Sequence, residues 1–259
     1  MTALHLVRVP IRTDRLAQWA AERGWSGRNS TIYDEGRALH HLVTEVWGPG
    51  VFACFRLLVP PRKRFGNLYA YSAMNAETLH DLTYAHALPE HLQVLCVDKL
   101  LSKAMPGQWH TSQRLGFDLR MRPVRRLSRN LDSPKATFRA GSEIDAFLLE
   151  ALQKFPQQPD GMESEDRSRQ DVYIDWLAER LAPAATLDHD ASRLVRFQRS
   201  LAAREKCDSE GPDATMHGIL TITEPAAFQT LLARGIGRHR AYGYGMLLLR
   251  PPGRTAPVQ

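Results

Sequence analysis

Apolar positions alternate at the start of the chain, where Leu4, Leu6 and Val9 predict a strand. The spacing then becomes helical through Leu16, Trp19 and Ala20, across residues 12–24. A second helix is predicted over residues 34–47. Two apolar runs at 51–59 and 67–74 flank the Pro-Pro-Arg-Lys-Arg-Phe-Gly turn at 60–66 and predict a hairpin. Helical spacing returns over 76–87, and residues 92–97 read as a further strand. The order is β, α, β, β, α, β, a ferredoxin-like plan in which two helices cover one sheet face and leave the other free to bind.

Alternation starts again at 115–121, which predicts a second sheet and a domain boundary near residue 110. Residues 143–155 and 170–182 are predicted helical, with a Pro, Gly, Glu and Asp-rich linker at 156–168 between them. The stretch 192–204 fits either a helix or a strand face and is read as a basic hairpin arm. A strand at 217–222, a helix at 225–234 and a strand at 242–249 complete the chain. The predicted class is α+β, with two tandem ferredoxin-like (RRM-like) domains and no residue-level repeat between them. The first spans residues 1–110 and the second 111–259, with a helical insertion at about 141–182 and a glycine-rich loop at 235–245.

Charge narrows the class of partner. The 259 residues carry 34 Lys+Arg against 28 Asp+Glu, a net charge of +6, and most of the excess is arginine. A guanidinium holds phosphate bidentately and stacks on bases, so a polyanion, nucleic acid first, is the expected partner. Three cysteines, Cys54, Cys96 and Cys207, are widely spaced with no C-x-x-C pair, which fits a reducing cytoplasm without disulfides. Residues 1–11 are too short and too polar for a signal peptide or a membrane span. A cytoplasmic protein is therefore expected.

Candidate chemistry collects in three places. On the predicted helix at 34–47, Leu39, Leu42, Val43 and Val46 fall on one side and Arg37, His40, His41 and Thr44 on the other. An imidazole titrates near neutral pH and a guanidinium stabilises a phosphorane, which is what RNA cleavage through its 2′-hydroxyl requires. The same stripe is also what the wet side of any amphipathic helix looks like. The second place is the basic run Arg120, Arg122, Arg125, Arg126 and Arg129 around Pro123. The third is the C-terminal loop, where Arg234, Gly235, Gly237, Arg238, His239, Arg240, Gly243 and Gly245 lead into an apolar strand. These glycines match neither a Walker loop nor a dinucleotide fingerprint. They fit a phosphate-backbone clamp or a helix C-cap followed by a turn. No His-Glu-x-x-His or paired-cysteine spacing occurs and no G-x-S-x-G elbow, so neither a metal, a cofactor nor a serine hydrolase is expected.

Residues 216–251, with the Glu-Pro helix start, Gly-Ile-Gly-Arg and Ala-Tyr-Gly-Tyr-Gly-Met-Leu-Leu-Leu, closely resemble the end of the CRISPR repeat-RNA endonucleases of the CasE type. The strand with its basic turn at 119–126, the helix at 173–180 and the Tyr-Asp-Glu-Gly-Arg-Ala-Leu element at 33–39 resemble that family as well. The resemblance implies two ferredoxin-like domains and metal-independent cleavage of repeat RNA beside its hairpin. It also implies a 2′,3′-cyclic phosphate product, retention of that product and assembly with other subunits of a CRISPR effector ribonucleoprotein. At the family's catalytic histidine this chain has Gly36, and the neighbouring Arg37 is kept. Three consequences are open. His40, one turn further along the helix, replaces the imidazole, arginines such as Arg23 and Arg37 act by positioning and charge alone, or cutting is lost and a crRNA hairpin-binding subunit is left; the candidates for chemistry are Arg23, Arg37 and His40 or His41. The missing histidine and the inserted helices resemble a divergent relative such as the type IV CRISPR endonuclease.

Overall fold

The computed structural model describes residues 3–25, 34–133, 136–157, 167–204 and 207–253. Strand β1 (His5–Arg12) buries Val7, Val9 and Ile11 on one face, as strand alternation requires. Helix α1 (Thr13–Glu22) buries Leu16, Trp19 and Ala20. Helix α2 (Glu35–Trp47) begins at Asp34, whose carboxylate accepts the Arg37 backbone N–H, and buries Ala38, Leu39, Leu42, Val43, Val46 and Trp47. Strands β2 (Phe55–Leu58) and β3 (Phe65–Ser72) form the expected hairpin. Helix α3 (Ala76–His86) is capped by Asn75 and is followed by the short helix α4 (Pro89–Val94) and strand β4 (Leu101–Ala104).

The strand expected at 92–97 is instead the end of α4 and a 3-10 turn at Val97–Lys99. Pro89 at the helix start presets the backbone, and a short apolar run has no period of its own to resist it. The first sheet runs β2-β3-β1-β4, antiparallel throughout.

The second half repeats that plan. Strand β5 (Arg114–Met121) leads through four short strands, β6 (Val124–Arg126), β7 (Leu131–Asp132), β8 (Thr137–Phe138) and β9 (Glu143–Asp145), to helices α5 (Ala146–Lys154) and α6 (Arg169–Leu181). Most of the linker between those helices lies outside the described residues. The ambiguous stretch at 192–204 is strand. Strands β10 (Ala185–Arg204) and β11 (Cys207–Ile222) make one long hairpin with register shifts after Asp188 and Leu194. Helix α7 (Pro225–Arg234) and strand β12 (Leu247–Arg250) close a sheet ordered β10-β11-β5-β12. The last strand starts later than expected, because Gly243 and Gly245 sit at φ +86° and +78° and break the extension. Two four-stranded antiparallel sheets of the same order make this a tandem ferredoxin-like fold.

The sheet face expected to be free is partly occupied. Leu4, Leu6, Tyr69 and Tyr71 of the first half pack into the core of the second, and the Tyr71 hydroxyl donates to the Leu247 carbonyl at 2.9 Å. The opposite face of β5 turns Asp118 and Arg120 away from that core, and Asp118 reaches across the seam between the halves to Arg56.

Candidate functional site

Helix α2 carries two clusters across its half-buried arc. On one side His41 stacks on Trp25, with ring centroids 4.2 Å apart and planes at 19°. Arg37 lies 5.9 Å from the centre of the same indole, and Arg23 lies over both Trp25 and Trp19. Arg23 is also tied down, with one nitrogen 2.9 Å from Glu45 and another 2.8 Å from Glu90. Its charge is therefore largely matched. On the other side His40 meets the ring of Tyr242 at 5.0 Å. Burial lowers the pKa of His40, and burial followed by the charges of His40 and Arg37 lowers that of His41, so both imidazoles are neutral bases at neutral pH. Their rings stand 5.5 Å apart and tilted, one toward each cluster, as their 100° separation on the helix predicts.

Gly36 has a structural reason. A Cβ built there would stand 2.6 Å from the Tyr242 carbonyl oxygen, so the first turn of α2 is pressed against the C-terminal loop at a place where only glycine fits. A histidine at 36 would push that loop away. The loop itself is held by Glu143, whose carboxylate takes Arg238 on one oxygen and His239 on the other at 2.7 Å. His239, expected beside phosphate, thus lies almost buried on a carboxylate, with its backbone at φ +59°. The close approaches that the glycines permit are to the protein. Gly235 abuts Cys54, Gly237 abuts the indole of Trp176 and Gly245 abuts the Ile236 carbonyl. Gly243 has ordinary clearance and is needed for its backbone angle alone.

The basic run divides into held and open residues. Arg120 grips Asp213 through two hydrogen bonds of 2.9 and 2.7 Å and lies 4.5 Å over Tyr244. Arg122 is only 2% exposed and reaches Ser200, itself 3.0 Å from the Tyr244 hydroxyl. Arg125 pairs with Glu179 at 2.7 Å in solvent, while Arg126 donates to the Gly141 carbonyl and has no carboxylate partner among the described residues. Arg234 and Arg238 are exposed, and Arg240 donates to the Arg234 carbonyl.

Sequence reasoning missed the acids of this seam. Asp118 takes Arg56 at 2.9 Å from the first half, His217 at 3.2 Å and Arg250, and against its burial the His217 hydrogen bond and the two guanidinium groups hold its carboxyl below the usual range. Glu35, beside Gly36, makes no hydrogen bond or ion pair among the described residues, and burial pushes its carboxyl up against the pull of Arg120. The one available signal was the period-two placement of Asp118 and Arg120 on β5, continued by Arg122 just beyond it. Among the described residues no three His, Cys, Asp or Glu side chains are grouped to hold a metal, and no helix is long and apolar enough to cross a membrane.

The family model for CRISPR associated protein matches residues 4–251. The chain belongs to that CRISPR-associated family. Solved structures similar to this CRISPR-associated protein include the CRISPR endoribonuclease Cse3 bound to a 19-nucleotide RNA, at 14% identity and TM-score 0.62, covering 96% of this chain and all of that one. Thermus thermophilus Cse3 bound to an RNA representing a pre-cleavage complex matches at 16% identity and TM-score 0.61, over 96% and 100%. Cas6e from Escherichia coli K-12 matches at 20% identity and TM-score 0.56, over 95% and 99%. At these identities the likeness shows the shared fold. No curated protein matches the sequence.

Proposed function

We propose that this protein is a metal-independent endoribonuclease that cuts CRISPR repeat RNA beside its hairpin and keeps the product. The observation that carries the reading is the half-buried arc of α2, where the Arg37 guanidinium and the imidazoles of His40 and His41 share one helix in a member of this family. In this reading His40 or His41 removes the 2′-hydroxyl proton, and the alkoxide attacks the adjacent phosphorus. Arg37 stabilises the phosphorane, with Arg23 positioned by Glu45 and Glu90 behind it. The departing 5′-oxygen takes a proton from the imidazolium so formed or from water, giving a 2′,3′-cyclic phosphate and a 5′-hydroxyl.

Arg125, Arg126, Arg234, Arg238 and Arg240 lie at the surface and supply the phosphate contacts. Arg120, Arg122, His239, Gly235, Gly237 and Gly243 shape the surface that the RNA meets. We place the division between the halves near residue 110 and the protein in the cytoplasm with other subunits of a CRISPR ribonucleoprotein, as the resemblance implies.

A second reading, a non-catalytic subunit that binds the crRNA hairpin, is favoured by Gly36. Incubation with the repeat RNA in EDTA, beside the same RNA carrying a 2′-deoxy sugar at the scissile position, separates the two. Cleavage of the first RNA alone supports the endoribonuclease, whereas tight binding with both RNAs intact supports the second reading.

A further inference from the structure

Beyond α2 and its loop, the described residues form a cleft of about 580 Å³ between the C-terminal end of α6 and one face of α7. Arg180, Arg234 and Arg240 wall it, Ala182, Ala226 and Ala227 supply small apolar surface, and no carboxylate lines it. The ends of two helices account for a cation each, Arg180 on α6 and Arg234 on α7, since helix carbonyls attract positive charge there. Arg240 comes from the C-terminal loop and donates to the Arg234 carbonyl at 2.9 Å, which brings a third cation to the same helix end.

The cations are also crowded. Glu179 sits 2.7 Å from Arg125 and only 3.4 Å from Arg180, so two guanidinium groups share one exposed carboxylate. Burial and the charge of Arg125 both lower the pKa of Arg180. Arg180 is nevertheless fixed in place, stacked 3.8 Å over Trp176 and donating to that residue's carbonyl at 2.9 Å. An array of oriented, under-neutralised guanidinium groups beside small apolar side chains matches a phosphodiester chain, which alternates anionic phosphates with less polar sugar.

We propose that this cleft binds the unpaired RNA strand that flanks the hairpin. The proposal rests on the functional reading above, and it assigns Arg234 and Arg240, together with Arg180, to that flank and not to the stem. The 3-10 turn Arg240–Tyr242 connects the two places, because Arg240 lines the cleft while Tyr242 touches Gly36 at the start of α2. A strand leaving the α2 site therefore meets the cleft along one short turn.

The test measures affinity and its salt dependence for three RNAs blocked by a 2′-deoxy sugar: the hairpin alone, the hairpin with single-stranded flanks, and an unstructured strand of equal length. The wild type is expected to bind the flanked hairpin about tenfold tighter than the bare one. In Arg180→Gln/Arg234→Gln that gain disappears, the salt slope for flanked RNA falls by about 1.4, at roughly 0.7 per lost single-strand contact, and the bare hairpin binds as before. A gain that survives in the double variant overturns the proposal. So does a wild type that holds the hairpin without any gain from the flank, or a variant in which the bare hairpin weakens equally. A wild type that ignores the hairpin, yet binds the unstructured strand through these arginines, overturns the functional reading and leaves the cleft standing. Arg234→Gln alone, at an exposed position, gives half the slope change should the double variant fail to fold.

Discussion

The arginines at the end of β5 and those around the C-terminal loop look equally basic in sequence, and the fold uses them in opposite ways. Arg120 and Arg122 are held within the second half, bound to Asp213 and Ser200 and lying against the ring of Tyr244. Arg234 and Arg240 stand at the surface of a cleft without an acidic partner lining it. The difference lies in burial and, for Arg120, in the Asp213 carboxylate. A guanidinium already gripped by a buried acid joins two parts of the chain, whereas one left open can exchange its solvent for a phosphate. On this criterion α2 is intermediate, with Arg23 matched by two glutamates and Arg37 held by none among the described residues.

The largest effect that sharpens this contrast is on stability. Arg120→Ala leaves the Asp213 carboxylate buried without its bidentate partner and should cost about 3–5 kcal/mol, as seen when one member of a buried pair is removed. Denaturant unfolding reads this directly, and a variant as stable as wild type would place Arg120 with the open arginines.

The next effect is on rate. His40→Ala should slow single-turnover cleavage by about 10²- to 10⁴-fold if its imidazole moves a proton. Because burial lowers the His40 pKa, the base stays neutral to lower pH. The acidic limb of the wild-type rate profile should accordingly fall below the ordinary value of 6.5. An unchanged rate in this variant leaves His41 or the arginines as the agents, and His40→Ala/His41→Ala at the wild-type rate leaves the arginines.

Arg126→Ala should act more weakly. It should lower affinity for every RNA alike and reduce the salt slope by about one unit, with the unfolding curve unmoved. An unaltered slope would show that Arg126 meets no phosphate.

The smallest effect concerns Glu35. Its folded pKa is raised above 4.5, so the folded protein prefers the protonated carboxyl and the ionised form opposes folding at neutral pH. Glu35→Gln should therefore raise Tm at pH 7, and the gain should shrink as the pH falls through that raised pKa. A lower Tm at pH 7 would mean that the carboxylate has a partner in the folded protein.

Much of the fold could be read from local chemistry. Helix α7 begins and ends where Pro225 at its first position and Gly235 beyond its last residue place it, and α2 starts on its Asp34 cap. Where no local signal existed the reading failed, as at residues 92–97, whose short apolar run suits a strand and a helix end alike. The site was harder, because the fate of an arginine depends on acids far away in sequence. Asp213 is 93 positions from Arg120, and Asp118 is 62 positions from Arg56. Gly36 shows the same limit. In sequence it is a missing histidine, and in the structure it is the seat of the Tyr242 carbonyl.

The most direct test of the division between holding and cutting is Arg37→Ala, assayed for repeat-RNA binding and single-turnover cleavage in the same EDTA buffer. Removal of one preorganised transition-state donor is expected to cost about 10²- to 10³-fold in rate, with affinity for the RNA nearly unchanged. A variant that cuts at the wild-type rate would contradict the assignment of chemistry to α2.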